Sequence, residues 1–263
     1  MDLGLAGRPA LVAAASKGLG KACARSLARE GAPVAICARD RGALETTRDE
    51  LVEETGGTVV AVSADVSREE DAVRFVREGA EALGGCQILV PNAGGPPFGR
   101  IEDLSDEDWR AALELNLFST LRMAREAIPR MRQAGYGRIV VMSSIAVKQP
   151  LADLVLSNSI RAAVIGWART LADEVGPDAI TVNAVMPGRV LTDRVRSLLE
   201  RGASAAGRSV QEQAEAEAGS VPLRRLGDPG EVGDVVAFLA SERASYMTGC
   251  FIQVDGGMYR GLL

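Results

Sequence analysis

Apolar residues follow two different spacings along the chain, and these spacings predict its secondary structure. Short apolar runs bounded by turn residues, such as the one in RIVVMSS at 138–144, are typical of buried strands, whereas apolar positions three or four apart indicate helices. The runs predict strands over residues 10–14, 33–38, 58–63, 88–91, 139–142, 180–184 and 250–254. The longer spacing predicts helices over 20–30, 44–54, 68–83, 106–133 and 231–241, and a further helix that carries Ser157 and Arg161.

Strands and helices alternate along the whole chain, which indicates a parallel sheet with helices on both faces and right-handed crossovers. A chain of 263 residues with 47% hydrophobic content can bury a full core, and it shows no internal repeat, linker or low-complexity tract. We therefore predict one doubly wound α/β domain over residues 1–263, with a parallel seven-stranded sheet. A charged, alanine-rich excursion at 194–220 interrupts the alternation.

Composition and charge exclude several classes of function. The formal net charge is −5 without a block of like charges, so the sequence indicates neither a nucleic-acid partner nor a membrane surface. Histidine is absent and the four cysteines form no C-x-x-C pair, which favours a cytoplasmic protein with reduced thiols and no metal site. The first apolar run is too short for a membrane span and follows Arg8-Pro9, so it predicts a strand rather than a signal peptide.

Two polar clusters indicate a ligand site at one edge of the predicted sheet. Ser143 and Ser144 come directly after the strand at 139–142. Ser157 and Arg161 lie four residues apart and so share one face of the next helix. Open α/β sheets bind ligands where the carboxyl end of a strand leads into a helix. We therefore expect a small-molecule substrate at this edge.

The turn after the first strand, AAASKGLG at 13–20, predicts a phosphate-binding loop. Small residues let the backbone approach a pyrophosphate, which is then held at the positive amino end of the following helix. Gly18 and Gly20 alone make a weak motif, since any tight turn between a strand and a helix can contain them. Their position directly after the first strand favours nucleotide binding.

Segment for segment, residues 5–258 resemble the short-chain dehydrogenase/reductases, nearest to the branch of the 3-oxoacyl-(acyl carrier protein) reductases. That family has a serine followed, thirteen residues on, by Tyr-x-x-x-Lys. This chain has Ser144 followed, thirteen residues on, by Ser157-x-x-x-Arg161, so the tyrosine and the lysine are both replaced. The resemblance implies a Rossmann-type oxidoreductase with the catalytic positions at Asn116, Ser144, Ser157 and Arg161. In the family, the asparagine at the position of Asn116 holds a water through the helix backbone.

The resemblance also implies a nicotinamide dinucleotide cofactor. The residues it assigns to cofactor binding are Ala14, Ser16, Lys17, Gly18, Leu19, Gly20, Arg39, Asp65, Val66, Asn92, Ala93, Gly94, Arg161, Pro187, Gly188, Val190 and Thr192. Ala38 stands where NAD-preferring relatives have an acid, and Lys17 and Arg39 could close around a 2′-phosphate. We therefore expect NADP, with NAD as the alternative if both cations are ordinary surface charges. Asp65 could instead cap the helix that follows it.

The source of the catalytic proton stays open. A serine hydroxyl is a far weaker acid than a phenol, and an arginine stays protonated. Water held by Ser157 and Asn116 could supply the proton, as could Asp153 if its loop folds inward. Asp153 and Lys148 are the nearest substitutes by sequence, although a helix cap and a surface charge explain them equally. The tyrosines at 136, 246 and 259 lie in segments that do not obviously reach this site.

Residues 193–220 are expected to form a substrate lid. Its arginines, which could meet an acidic group or be solvated, are Arg194, Arg196, Arg201 and Arg208. The helices over 106–133 and around 158–173 carry more apolar residues than one sheet face needs. In members of the resembled family, these helices pair between subunits. The resemblance therefore implies a homo-oligomer, either a dimer or a tetramer.

Three functions remain open from the sequence. The first is an NADP-dependent oxidoreductase acting on a carbonyl or alcohol, with a rebuilt proton donor. The second is a non-redox enzyme, such as a dehydratase or isomerase, that uses the same pocket. The third is a catalytically silent nucleotide-binding or scaffold protein. The retained Gly18, Gly20, Asn92, Pro187 and Thr192 argue against it, because a scaffold has little need of a nucleotide cradle.

Overall fold

The computed structural model describes residues 1–262, and a seven-stranded sheet with only parallel pairs lies at its centre. The strands are β1 (Ala10–Val12), β2 (Val34–Ala38), β3 (Val59–Ser63), β4 (Ile88–Val90), β5 (Gly137–Met142), β6 (Ile180–Pro187) and β7 (Phe251–Val254). Their order is β3-β2-β1-β4-β5-β6-β7, so the winding reverses between β1 and β4. The predicted doubly wound fold is confirmed, and such a reversal is where α/β sheets bind ligands.

Helices cover both faces of the sheet. They are α1 (Gly18–Arg29), α2 (Arg41–Thr55), α3 (Glu69–Leu83), α4 (Asp106–Leu113), α5 (Ser119–Ala134), α6 (Val155–Val175), α7 (Asp193–Ala206), α8 (Val210–Ser220) and α9 (Pro229–Ala240). Successive strand residues point to opposite faces, so each face has its own core. Leu11 belongs to the core with Phe75 and Met123, whereas Val12 belongs to the core with Leu27 and Val236. Within residues 1–262, none of the helices is long and apolar enough to cross a membrane.

Two strand ends differ from the sequence-based prediction. β1 stops at Val12 rather than at residue 14, because Ala14 has φ +48 and a strand cannot adopt this left-handed conformation. β6 continues to Pro187, beyond the predicted end at 184, where the missing N–H of proline is tolerated at the end of the ladder. The excursion predicted at 194–220 consists mainly of α7 and α8.

The single helix predicted over 106–133 is interrupted by a π-helical turn at Glu114–Phe118. The backbone N–H of Ser119 donates to the carbonyl of Glu114, five residues back. The hydroxyl of Ser119 donates to the carbonyl of Leu115 at 2.6 Å, and so satisfies a group that a regular helix would bond through its backbone. Such turns are frequent at functional sites, and this one carries Asn116.

Tyr136 lies at the amino end of β5, where two guanidinium groups pack over its ring. The Cζ atoms of Arg8 and Arg138 lie 3.8 and 3.9 Å from the ring centroid, and the hydroxyl donates to the carbonyl of Ala240 at 2.7 Å. Tyr136→Phe should lower the free energy of unfolding by about 1 kcal/mol, because it removes one partly buried hydrogen bond. Tyr136→Ala should lower it by about 3 kcal/mol, because both ring contacts are also lost. Urea denaturation followed by circular dichroism measures both losses, and equal losses would show that the ring contacts contribute nothing.

Candidate active site

The turn between β1 and α1 has the shape of an anion cradle. Ala14 has φ +48 and Gly18 has φ +57, so the backbone passes twice through the left-handed region. A Cβ at Gly20 would lie 2.3 Å from the carbonyl oxygen of Ala14, so only glycine fits there. α1 has no capping side chain and no acidic residue in its first turn. Its positive amino end is therefore open to an anion.

Two side chains from neighbouring elements fix this turn. Asn92 Nδ2 donates to the carbonyls of Ala13 and Ala14 at 3.2 and 3.3 Å. Thr47 Oγ1 donates to the carbonyl of Ser16 at 2.8 Å. Asn92 thus positions the cradle through these bonds. Thr47 was missed by the sequence reasoning, because a threonine within a helical pattern carries no signal of a contact with a turn far back in the chain.

Lys17 and Arg39, the cations expected to meet a 2′-phosphate, are both exposed. Lys17 Nζ lies 3.6 Å from Asp193 Oδ2 at the start of α7, and both side chains are largely in solvent. Such a pair contributes little stability, so Lys17 can leave it for a phosphate at little cost. Arg39 directly follows β2 and, within residues 1–262, has no carboxylate partner. Its acidic neighbour Asp40 is engaged as the cap of α2, accepting from the N–H of Ala43 at 3.1 Å.

The segment after β3 is a tight local turn. Asp65 Oδ1 accepts from the backbone N–H and the hydroxyl of Ser67, at 3.1 and 2.7 Å. The N-cap of α3 is Arg68, so the alternative in which Asp65 caps that helix is wrong. Val66 is 6% exposed and its side chain packs in the core, which leaves only its backbone for a ligand.

The loop after β4 leaves space above its backbone. Ala93 is partly buried and packs against the core. A Cβ at Gly94 would meet no atom within 4 Å, so this part of the loop is open. The next glycine, Gly95, is different, since a Cβ there would lie 2.2 Å from Cζ of Arg194. The backbone of this loop is therefore open at Gly94, whereas at Gly95 it is in contact with the guanidinium of Arg194.

The loop that follows β6 meets the cradle from the other side. A Cβ at Gly188 would lie 2.7 Å from Cβ of Asp255, so the close approach of these two segments requires glycine. Thr192 caps α7 with its hydroxyl oxygen. A Cβ at Gly18 would lie 3.6 Å from Cγ2 of Thr192, which places the two loops within van der Waals reach of each other.

A cavity of about 140 Å³ joins the cradle to the predicted catalytic residues. Ser144, Ser157 and Arg161 all line it. The cradle and the loop after β6 contribute Leu19, Pro187, Gly188, Val190 and Thr192 to the same walls. Ser144 Oγ accepts from the N–H of Ala146 at 3.1 Å, which leaves the hydroxyl proton free to be donated. Ser157 is 7% exposed. Three of the four predicted catalytic residues therefore meet in one place.

Arg161 is tied to the end of β5. Its Nη1 donates to the carbonyls of Met142 and Ser143 at 3.0 and 3.3 Å. Burial, together with the smaller effect of the positive charge of Arg194, lowers the pKa of the Arg161 guanidinium to about 10. The group is still cationic at neutral pH, so it can donate hydrogen bonds but does not release a proton there.

Asn116 is not among the residues that line the cavity. It is 5% exposed, its Nδ2 donates to the carbonyl of Ala112 at 3.4 Å, and its own carbonyl accepts from the Thr120 hydroxyl at 2.9 Å. The π-helical turn that contains it packs against α6, the helix of Ser157 and Arg161. The structure thus places Asn116 beside the helix that carries Ser157 and Arg161, and its catalytic role stays a prediction.

The residues considered as substitutes for a tyrosine do not line the cavity. Asp153 is exposed and its Oδ1 accepts from Arg100 Nε at 3.1 Å, so its loop does not fold the carboxylate inward, which was the condition for Asp153 to supply the proton. Lys148 lies over the ring of Tyr259, with its Nζ 5.2 Å from the ring centroid. Met258 lines the cavity, so the C-terminal segment comes closer to the site than the sequence indicated.

The sequence reasoning missed part of the apolar wall of the cavity, namely Phe98, Leu151, Leu154 and Met258. Val195 and Leu198, from the segment predicted as a lid, complete this wall. Of the four arginines predicted in the lid, the cavity wall contains Arg194. Its partner Pro96 lies 98 positions away in the chain, so no local pattern could have distinguished it from the other three.

In the part of the chain that the structure describes, neither a cluster of metal-ligating side chains nor a thiol lines this cavity. Within residues 1–262, no group of three or more His, Cys, Asp or Glu side chains could hold a metal ion. Burial raises the pKa of the thiols of Cys23, Cys37 and Cys86 to about 12, so these groups stay protonated and unreactive. The chemistry of the cavity therefore depends on hydroxyl and guanidinium groups.

Known proteins share both the sequence and the fold of this chain. A sequence profile for a family described as enoyl-(acyl carrier protein) reductase matches residues 13–259. Human dehydrogenase/reductase SDR family member 4 is 35% identical over 254 residues, covering 96% of this chain and 88% of that protein. The 3-oxoacyl-(acyl carrier protein) reductase FabG of Vibrio cholerae is 34% identical over 257 residues, covering 98% of this chain and 99% of that protein. The structure of L-sorbose reductase from Gluconobacter frateurii, complexed with NADPH and L-sorbose, has a TM-score of 0.95 at 34% identity over 100% of both chains. This chain belongs to the short-chain dehydrogenase/reductase family.

Proposed function

We propose that the protein is an NADP-dependent oxidoreductase that interconverts a carbonyl group and an alcohol on a small molecule. The observation that carries this proposal is the shared cavity. Leu19 and Thr192, from the nucleotide cradle and the loop facing it, line the same space as Ser144, Ser157 and Arg161. The solved sorbose reductase is complexed with NADPH and L-sorbose, and the Vibrio cholerae relative is a 3-oxoacyl reductase by name, which supports the same class of reaction here.

The residues present fit NADP. The uncapped amino end of α1 suits the pyrophosphate, and the exposed Lys17 and Arg39 suit a 2′-phosphate. Arg161 would donate to the nicotinamide ribose, and the loop over 187–192 would hold the carboxamide. When bound, the cofactor supplies the hydride in reduction or accepts it in oxidation.

We propose that the catalytic set is altered, with Ser157 and Arg161 at the positions of the family's tyrosine and lysine. Ser144 would polarise the substrate oxygen with the proton that its bond to Ala146 leaves free. Ser157 is too weak an acid to replace a phenol, so we assign it to hold a water that delivers the proton. Losing a matched general acid costs about 10²–10⁴-fold in rate, and proximity can contribute more than that, so a slow reductase remains feasible.

Residues 193–220 act in this proposal as a lid on a single domain that spans the chain. α7 contributes Val195 and Leu198 to the cavity wall. The two ends of the segment are attached by ion pairs, one from Lys17 to Asp193 at 3.6 Å and one from Arg189 to Glu217 at 3.0 Å. The first pair is largely exposed, so the amino end of α7 can separate from the cradle when the cofactor enters.

NADPH should bind more tightly than NADH, by about 1–3 kcal/mol, because Lys17 and Arg39 form charge-assisted contacts with the 2′-phosphate. Arg39→Asp should abolish or reverse this preference. Arg48→Asp makes the same change of charge on α2, nine positions further along the chain, and should leave the preference intact. Titration of nicotinamide fluorescence gives all six affinities. Equal affinities of the unmodified protein for the two cofactors would contradict the assignment.

The protein should form a dimer or tetramer through α4, α5 and α6. Phe118, in the turn before α5, is 40% exposed, and the outer face of α6 exposes Ala162, Ala163 and Gly166. Small residues let helices of two subunits approach closely, and a second subunit would cover the phenyl ring. Light scattering at micromolar concentration should return a multiple of 27.6 kDa. A mass of one chain under these conditions would rule out the assembly.

A nucleotide-binding protein without turnover is the second candidate. Within residues 1–262, no carboxylate, phenol or thiol lines the cavity, so no side chain there titrates near neutral pH. A dehydratase or isomerase would need acid–base groups of this kind, and the same observation disfavours it. Turnover of bound NADPH with a panel of ketones and aldehydes, followed at 340 nm, distinguishes the two. Tight NADPH binding without oxidation by any member of the panel would favour the second candidate.

A further inference from the structure

The cavity carries more positive charge than the protein itself neutralises. Three arginines line it, and within residues 1–262 no acidic side chain does. Arg189 is paired, since its Nε lies 3.0 Å from Glu217 Oε2. Arg161 and Arg194 have no carboxylate partner in this part of the chain, because their hydrogen bonds go to backbone carbonyls. Two uncompensated guanidinium groups therefore face one small space.

Arg194 is held in place by the loop after β4. Its Nη2 donates to the carbonyl of Pro96 at 3.0 Å, and its Cζ lies 4.3 Å from the centroid of the Phe98 ring. The guanidinium also rests directly on Gly95, where a Cβ would lie 2.2 Å from Cζ. Three contacts thus fix a charged side chain at the cavity wall without neutralising its charge. Such preorganisation is what recognition of a planar anion requires.

The placement of the two arginines has an electrostatic cost. Burial lowers the pKa of both guanidinium groups, and the charge of Arg194 lowers that of Arg161 further. Like charges in a partly buried site repel, and neither group can lose its proton at neutral pH. Hydrogen bonds to the carboxyl end of β5 explain why Arg161 lies at the cavity, but they do not explain why a second charge, that of Arg194, lies beside it. A ligand that brings negative charge would relieve both costs.

We propose that the substrate carries a carboxylate beside the reacting carbonyl, and that Arg194 binds this carboxylate while the nearby charge of Arg161 adds to the attraction. The proposal deepens the proposed oxidoreductase function and rests on it. Ser144 and Arg194 line the same small cavity. Carboxylate and carbonyl must therefore lie close together, as in a 2-oxo acid. Reduction adds a hydride to the carbonyl carbon and a proton to its oxygen, which gives the 2-hydroxy acid.

The apolar part of the cavity lining indicates what the rest of the substrate, beyond the carboxylate and the carbonyl, should be. Leu151, Leu154, Leu198 and Met258 form a wall without charge. A 2-oxo acid with a short aliphatic substituent would place its carboxylate on Arg194 and its substituent on this wall. Phosphate shares the negative charge of a carboxylate, but it is tetrahedral and does not present the planar pair of oxygens that suits a guanidinium.

Binding can be tested without turnover. Oxamate has a carboxylate beside a carbonyl and is not readily reduced, whereas oxamide has the same size without the charge. Calorimetric titration of the NADPH-saturated protein should detect oxamate and show at least tenfold weaker binding of oxamide. Arg194→Gln should weaken oxamate binding by roughly 10- to 100-fold, the range for loss of a charge-assisted contact. Arg194→Lys keeps the charge but not the planar guanidinium, so its affinity for oxamate should lie between those of the parent protein and Arg194→Gln.

Arg196→Gln is the matched control. It removes the same charge from α7 at an exposed position, and it should leave oxamate affinity within about twofold of the parent value. The NADPH affinity of Arg194→Gln should also stay within about twofold. A parallel loss of NADPH and oxamate affinity would assign Arg194 to a cofactor phosphate and overturn the proposal. Displacement of oxamate by an equal concentration of inorganic phosphate would overturn the carboxylate assignment.

The proposed activity and the anion site can fail separately. Pyruvate and 2-oxobutanoate should oxidise NADPH with lower KM than their methyl esters, and Arg194→Gln should reduce this difference while kcat changes less. Arginine-dependent oxamate binding without oxidation of NADPH by any carbonyl compound would support the anion site and refute the oxidoreductase. Reduction of esters and neutral ketones as efficiently as acids, with oxamate affinity insensitive to Arg194→Gln, would refute the anion site and leave the oxidoreductase standing.

Discussion

Ser144→Ala is expected to lower kcat/KM for carbonyl reduction by about 10²–10³-fold, the range seen when one fixed donor to a developing oxyanion is removed. Ser144 follows β5 and lines the cavity, and its oxygen already accepts from the N–H of Ala146 at 3.1 Å. That bond orients the hydroxyl and leaves its proton for the substrate oxygen. Because the donor is fixed before substrate arrives, its contribution grows as negative charge develops on the carbonyl oxygen. NADPH consumption at 340 nm, with the carbonyl compound that gives the highest turnover, measures the loss.

The adjacent serine provides the matched control. Ser143 lines the same cavity, but its Oγ is buried without a hydrogen-bond partner within residues 1–262, so Ser143→Ala removes an unsatisfied polar atom and leaves a methyl group of similar size. This change should leave the rate within about twofold and should not lower the free energy of unfolding. If Ser144→Ala turned over at the parental rate, or if both variants lost activity equally, the substrate oxygen would have to lie elsewhere.

The fold could be predicted from the sequence because the spacing of apolar residues is a local signal, and the strands and helices of the structure follow it throughout. Each apolar run became a strand, and the alternation with helices required parallel pairing. The end of β1 could not be predicted, since an alanine gives no indication of a left-handed conformation, and the cradle imposes one on Ala14. The π-helical turn depends on one slipped hydrogen bond and on the hydroxyl of Ser119, which a helical pattern does not reveal.

In the candidate site, too, the residues placed by local structure could be predicted, and those placed by contacts between distant segments could not. Ser144, Ser157 and Arg161 could be expected to meet, because a strand end and one helix face bring them to the same edge of the sheet. The position of Asp153 depends on Arg100, 53 positions away, which binds its carboxylate outside the cavity. Arg194 depends on the loop of Gly95 to Phe98 in a similar way. Contacts between distant segments decided both, and no spacing in the sequence encodes them.

The second large effect is expected at the cradle, where Gly20→Ala should lower the free energy of unfolding by about 3 kcal/mol. The new Cβ would lie 2.3 Å from the carbonyl oxygen and 2.9 Å from the carbonyl carbon of Ala14. Both are backbone atoms of a turn that Asn92 and Thr47 already fix, so the clash cannot be relieved by rotating a side chain. The turn or the start of α1 must move. NADPH affinity should therefore fall at least about tenfold, because the open amino end of α1 loses its alignment with the cradle.

Ala14→Gly changes the residue that faces Gly20 and should raise the free energy of unfolding rather than lower it. Alanine at φ +48 carries a left-handed penalty of about 1–2 kcal/mol that glycine does not, although glycine adds entropy to the unfolded chain. The net expectation is a gain of about 0.5–1 kcal/mol with NADPH affinity retained. Gly219→Ala, at an exposed position of α8 where the nearest atom to the new Cβ would be Arg224 Nη1 at 3.9 Å, controls for the general effect of replacing a glycine and should also stabilise the protein. Urea denaturation and fluorescence titration of the three variants give both quantities. Parental stability and affinity in Gly20→Ala would mean that the turn can move freely, and the cradle would then have no fixed shape to recognise a pyrophosphate.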